Sequence, residues 1–168
     1  MRTPWQPKQP SPGNPSYVRG TKPYVLLPPC HVGNQPIFKL SGVQVYAGGW
    51  TRGARAGSVD VVLDLASSVL ARNLPTHARR QTPQVWSFEI NDFSVPACKP
   101  DFWAALLLDI EELGTGKSLL VACSGGHGRT GMVVSILLSL SGAVKGDPVA
   151  WLRKHYCERV VESAQQVQ

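Results

Sequence analysis

Apolar residues fall in short alternating runs through the first half of this chain and in longer, helically spaced runs through the second. Val43-Gln-Val-Tyr-Ala alternates as a half-buried strand does, and Gly48-Gly49 ends it. Val59 to Leu65, rich in β-branched residues, reads as a second strand, and Val85-Trp-Ser-Phe-Glu-Ile90 as a third. Between them Val69 to Asn73 suits a short helix. Asn91-Asp-Phe-Ser-Val-Pro96 brings turn formers and a proline that forbid continuation of the third strand. Asp101 to Leu113 has Phe102, Leu106 and Ile110 at helical spacing, Asp101 where an N-cap is wanted and Gly114 to close the end. Lys117 to Cys123 then reads as a short buried strand, and Thr130 to Leu140 as a more apolar helix. Asp147 to Tyr156 forms another helix, with Asp147 as cap and Pro148 at the first helical position. Arg159 to Gln166 adds a further turn or two. Strands alternating with helices predict an α/β fold, with a central, mostly parallel sheet of about four strands flanked by helices.

The first forty residues break this pattern. Pro4, Pro7, Pro10, Pro12 and Pro15, then Pro23, Pro28, Pro29 and Pro36, remove donors and fix backbone angles, so residues 1–40 are expected to be partly irregular and residues 41–168 to form the folded domain. A length of 168 residues with 43% apolar content suits one such domain. Charge is divided along the same line. No Asp or Glu precedes Asp60, whereas seven Lys and Arg do; from Asp60 onward 10 basic residues face 11 acidic ones. The net charge of +6 therefore belongs to the N-terminal third, which favours anionic partners or is a solvated basic arm. The longest strongly apolar run, Met132 to Leu140, is far shorter than the roughly 20 residues a bilayer requires. No secretory signal is read at the N-terminus. Cysteines at 30, 98, 123 and 157 make neither a Cys-x-x-Cys pair nor a regular framework, so a reducing, cytoplasmic setting with a free thiol is expected. Cys98 and Cys157 read as small buried apolar residues.

The segment with chemical promise is Cys123-Ser-Gly-Gly-His-Gly-Arg-Thr-Gly131, between a buried strand and an apolar helix. Its glycines allow a tight turn with inward amides, and a nest of amides backed by a helix N-terminus is an anion site. The same field favours thiolate over thiol at Cys123, which makes it a nucleophile. Arg129 is far enough along for its planar fork to return towards a bound phosphoryl group and match two oxygens at once. A leaving oxygen also needs an acid. A parallel βαβ crossover puts the C-terminal ends of the strands before Asp92 and Cys123 on one sheet edge, so these two residues can meet across one cleft. Asp92 could otherwise be a turn residue capping its own backbone. Asp60 and Asp64, inside or at the end of a strand, read as structural.

This segment resembles the phosphate-binding loop of the protein tyrosine and dual-specificity phosphatases, His-Cys-x-x-Gly-x-x-Arg-Ser/Thr-Gly. Cys123, Gly126, Arg129, Thr130 and Gly131 match at that spacing, and Ala122 departs from the histidine. The resemblance spans roughly Gly42 to Gln166. It implies catalytic roles for Cys123, Arg129, Asp92 and Thr130, the last through a hydroxyl bonded to the cysteine sulfur. It implies a phosphate cradle made by Ser124, Gly125, Gly126, His127, Gly128 and Arg129. Asn91 to Pro96 is similar to the family's mobile acid loop, and Val161-Glu-Ser-Ala-Gln-Gln166 to a segment whose glutamine positions water; a plain surface helix accounts for the latter equally well. The implied activity is a dual-specificity type of protein phosphatase working through a phosphocysteine intermediate on phosphorylated proteins, without metal or organic cofactor. RNA 5′-phosphates and phosphoinositides stay open as substrates.

Other readings fit less well. Gly126-His-Gly-Arg-Thr-Gly131 also matches a dinucleotide-binding fingerprint, but only 37 residues follow it and they read as helical. A nucleoside triphosphate loop would need a lysine that is not there. Cys30-His31 and His155-x-Cys157 are isolated pairs without metal-ligand spacing. The alternative from another class is a pseudophosphatase module that binds phosphorylated partners without turnover, favoured by Ala122 and opposed by intact Cys123, Arg129 and Asp92.

Overall fold

The computed structural model describes residues 35–49, 59–66 and 83–167. In chain order the elements are β1 (Phe38–Leu40), β2 (Val43–Gly49), β3 (Val61–Asp64), β4 (Gln84–Ser87), α1 (Pro100–Glu112), β5 (Ser118–Cys123), α2 (Gly128–Ser141), α3 (Pro148–His155) and α4 (Ala164–Val167). The strands form one five-stranded sheet in the order β1-β2-β5-β3-β4. All neighbours are parallel except β1 and β2, which form an antiparallel hairpin. The expected α/β architecture is therefore present, with one strand more than the sequence pattern suggested. The missed strand is β1. Ser41 and Gly42 turn it into β2 with φ of 48° and 86°, the positive values of a tight two-residue hairpin.

Alternation along β2 and β5 assigns two faces. Val43, Val45, Ala47, Val61, Leu63, Leu119, Val121 and Cys123 join the main core with Leu106, Ile110, Val133, Val134, Leu137, Leu138 and Leu152 from the helices. Val62, Leu120 and Ala122 point the other way, into a smaller cluster with Val59. Ala122 thus fills an apolar site behind the sheet, on the face opposite Cys123. Helix α2 is buried from Gly128 to Ser135, which explains why its sequence is apolar on nearly every side.

Two helix starts differ in their chemistry. Asp147 caps α3 as expected, its Oδ1 accepting from the amides of Val149 at 2.8 Å and Ala150 at 3.2 Å. Asp101 does not cap α1. Pro100 occupies the first turn and moves the cap to Lys99, which makes no side-chain cap bond, leaving Asp101 as a first-turn carboxylate facing the positive helix end. The short helix expected at Val69 to Asn73 and the proline-rich segment before residue 35 lie outside the described residues. No described helix is long and apolar enough to cross a membrane.

Candidate active site

Parallel pairing puts the ends of β2, β3 and β5 level: Gly49 lies opposite Cys123, and Asp64 opposite Ala122. Chain leaving β5 must therefore turn at this edge. It does so through Ser124 to His127 before α2 begins at Gly128. Gly126 has φ of 81°, a conformation that side-chain-bearing residues rarely adopt, and its amide donates to Cys123 Sγ at 3.2 Å. The turn rests directly on the end of β2: a Cβ on Gly49 would sit 2.4 Å from the Gly125 carbonyl carbon. Gly49 matters here as close backbone contact, which its reading as a strand terminator did not reveal.

Cys123 is a free thiol at the floor of this turn and only 2% exposed, not the partly exposed group that a reactive cysteine suggests, because the last β5 position faces the main core. Arg129 is buried as well. Its Nη1 donates to the Ile90 carbonyl at 3.0 Å, and its Nη2 donates to Ser124 Oγ at 3.4 Å and pairs with Asp92 at 3.2 Å. Its Nε is buried with no hydrogen-bond partner among the described residues. Asp92, 63% exposed, reaches this edge because the chain beyond β4 stays tied to β3, through Phe88 N to Asp64 O at 2.9 Å and Ile90 N to Leu65 O at 3.0 Å. The loop after Cys123 and Asp92 thus share one edge of the sheet, as the crossover argument required. Thr130 stands differently from expectation: its hydroxyl donates to the Gly48 carbonyl at 3.3 Å, so its one proton braces α2 on β2 and is not directed at the sulfur.

No protein-family model matches the chain. Two uncharacterized proteins of Methanocaldococcus jannaschii are each 34% identical over 79 residues, 46% of this chain and 50% and 46% of their own lengths. The chain thus spans about half the length of the curated relatives it matches. Among solved structures, Tk-PTP in its active form aligns with a TM-score of 0.56 at 25% identity, over 77% of this chain and 88% of that one. A kinase associated phosphatase with serine replacing its catalytic-site cysteine aligns at 0.51 and 16% identity, over 74% and 81%. The fold is that of the protein tyrosine and dual-specificity phosphatases.

Within this phosphatase-like fold, three further residues brace the site. Ser163 Oγ donates to the Phe93 carbonyl at 3.0 Å, and Gln166 Nε2 to the Ser94 carbonyl at 3.4 Å. Gln166 Oε1 in turn accepts from the amides of Glu162 and Ser163 at 3.1 and 3.3 Å. The C-terminal turn therefore clasps the loop at 91–96, where Phe93, next to Asp92, is 58% exposed and has φ of 57°. Such a backbone angle on an aromatic residue persists only where neighbours over-determine it. Gln166 and Ser163 both belong to the Val161-Glu-Ser-Ala-Gln-Gln166 segment read from the sequence, although the contacts they make are with the loop backbone. The third is Tyr156, whose hydroxyl donates to the Gly126 carbonyl at 2.8 Å.

The remaining candidates are structural. Asp60 Oδ2 accepts from the amide and hydroxyl of Ser118 at 2.9 and 2.7 Å, and Oδ1 pairs with Lys117 at 3.0 Å, at the opposite edge of the sheet from Cys123. The Ser118 hydroxyl and then Lys117 hold its carboxyl below the usual carboxylate range. Buried Asp64 accepts from the Ala66 amide at 3.1 Å. Cys98 is free and half-buried, and burial pushes its thiol up. Cys157 is buried as expected, but it is disulfide-bonded, a pairing that its spacing does not signal, and its partner lies outside the described residues.

Proposed function

We propose that this chain is a cysteine-dependent phosphatase of the dual-specificity type, acting on phosphorylated proteins. The observation that carries this reading is the meeting of Arg129 and Asp92, 3.2 Å apart, at the sheet edge where the Cys123 sulfur lies under an inward amide. A phosphomonoester dianion takes the place of the Asp92 carboxylate on the Arg129 fork and accepts from the loop amides of Ser124 to Thr130. Asp92, released from the guanidinium, takes up a proton from solvent and then faces the leaving oxygen as a neutral acid.

Cys123 sulfur attacks phosphorus in line, the bond to the leaving oxygen breaks, and Asp92 gives that oxygen its proton. Water attacks the phosphocysteine next, losing its proton to Asp92 as the phosphorus–sulfur bond breaks and the thiolate returns. Thr130 assists this step once its hydroxyl turns from Gly48 to the sulfur. Charge in such loose transition states sits on the equatorial oxygens, so positioning and fixed donors supply most of the acceleration. No metal or organic cofactor enters the scheme. The mechanism needs Cys123 to stay a free thiol, while the disulfide at Cys157 does not point to a reducing cytoplasm.

Initial-rate hydrolysis of an aryl phosphate tests this: the native chain turns over and Cys123→Ser does not. Activity surviving in Cys123→Ser would refute the covalent route. Phosphate binding without turnover in the native chain would favour the binding-module reading, to which Ala122 and the Thr130–Gly48 bond lend support. RNA 5′-phosphates and phosphoinositides belong in the same substrate panel.

A further inference from the structure

The scheme above leaves unused a buried phenol that touches the anion loop. Tyr156 ends α3, thirty positions beyond Gly126, and its side chain runs through the core to the loop, where its hydroxyl donates to the Gly126 carbonyl at 2.8 Å. That carbonyl shares a peptide unit with the amide of His127. No described peptide bond is cis, and in a trans peptide the C=O and N–H point in opposite directions. Where the carbonyl goes therefore decides where the amide goes.

This choice is open at Gly126 as it is at few positions. The peptide between Gly126 and His127 turns about ψ of Gly126, which has no Cβ to resist it, and about φ of His127, which stands at −108°. One orientation offers an N–H to an anion; the other presents a carbonyl oxygen, which repels it. The preceding peptide already turns its N–H to the Cys123 sulfur. We propose that Tyr156 is a positioning residue that locks the Gly126–His127 peptide with its carbonyl outside the anion pocket and its amide available to a bound phosphoryl group. This rests on the phosphatase reading of the loop and adds to it a residue on a different helix.

The donor is permanent. Burial first, then the charge of Cys123, pushes the Tyr156 hydroxyl well above its ordinary range, so it keeps its proton at any assay pH. No other side chain is recorded donating to the Gly126 carbonyl among the described residues.

The test is Tyr156→Phe, which keeps the ring in the core and removes only the hydroxyl, with Tyr156→Met as a second variant of similar bulk. Binding of inorganic phosphate is measured by calorimetry in a Cys123→Ser chain with and without each change, and kcat/KM for an aryl phosphate in the otherwise native chain. Loss of one hydrogen bond that fixes a donor predicts an increase in phosphate Kd of about tenfold and an equal loss in kcat/KM, with the melting midpoint of Tyr156→Phe within a few degrees. Phosphate affinity unchanged within twofold overturns the assignment, whatever the melting point does. Phosphate binding that responds to Tyr156 without turnover in the native chain would remove the phosphatase reading and keep this one. Turnover with unaltered phosphate affinity does the reverse, and no phosphate binding at all removes both.

Discussion

At the scale of single residues, the site is a set of donors and acceptors already spent on one another. Arg129 holds Asp92, Ser124 and the Ile90 carbonyl, while the Gly126 amide is given to the sulfur. An anion that binds the Arg129 fork must therefore exchange with Asp92 and not merely fill space. Asp92→Asn keeps the shape and loses the proton. With an alkyl leaving group the variant should lose about a hundredfold or more in kcat, and with a nitrophenyl leaving group much less. Equal losses on both substrates would speak against the acid role. Cys123, Arg129 and Asp92 were legible in the sequence because their spacing and topology are local. The fate of the Thr130 hydroxyl was not, since Gly48 lies 82 positions away and only the sheet brings the two together.

Elements set those residues in place through contacts between distant segments. Helix α2 and strand β5 could be read from apolar runs, and α3 from its Asp147–Pro148 start. β1 escaped because a three-residue strand has no period to detect, although Ser41-Gly42 is a hairpin turn in retrospect. The clasp between the C-terminal turn and the loop at 91–96 was equally hidden: Ser163 and Gln166 reach carbonyls about seventy residues away, and carbonyl acceptors leave no mark on sequence. Ser163→Ala and Gln166→Ala each release one carbonyl of the loop that carries Asp92. Each should lower kcat for an alkyl phosphate about tenfold while leaving phosphate affinity nearly unchanged, because orientation of the acid is lost and the cradle is not. A matching fall in phosphate affinity would place these residues in the cradle itself.

Across the whole molecule, the candidate site and the Asp60 cluster occupy opposite edges of one sheet. The C-terminal ends of the parallel strands carry the Cys123 loop and Asp92, as the crossover rule requires, while Asp60 fastens the start of β3 to the start of β5. Since its partners lower the Asp60 carboxyl below 3.8, its stabilisation is present above that value and fades as pH falls through the folded-state titration. Asp60→Asn should cost about 1 kcal/mol in urea unfolding at pH 7, and the difference should shrink near pH 3. An undiminished gap at the acid end would show that shape and not charge is responsible. The strand order β1-β2-β5-β3-β4, with β5 between two earlier strands, could not be read from periodicity, yet it is what sets Gly49 under the loop.

The central claim concerns one covalent bond. The native chain, mixed with an aryl phosphate, denatured rapidly at alkaline pH during turnover and digested, should yield a peptide phosphorylated on Cys123 and on no other residue. Steady turnover with no phosphoryl group on that sulfur would contradict the account.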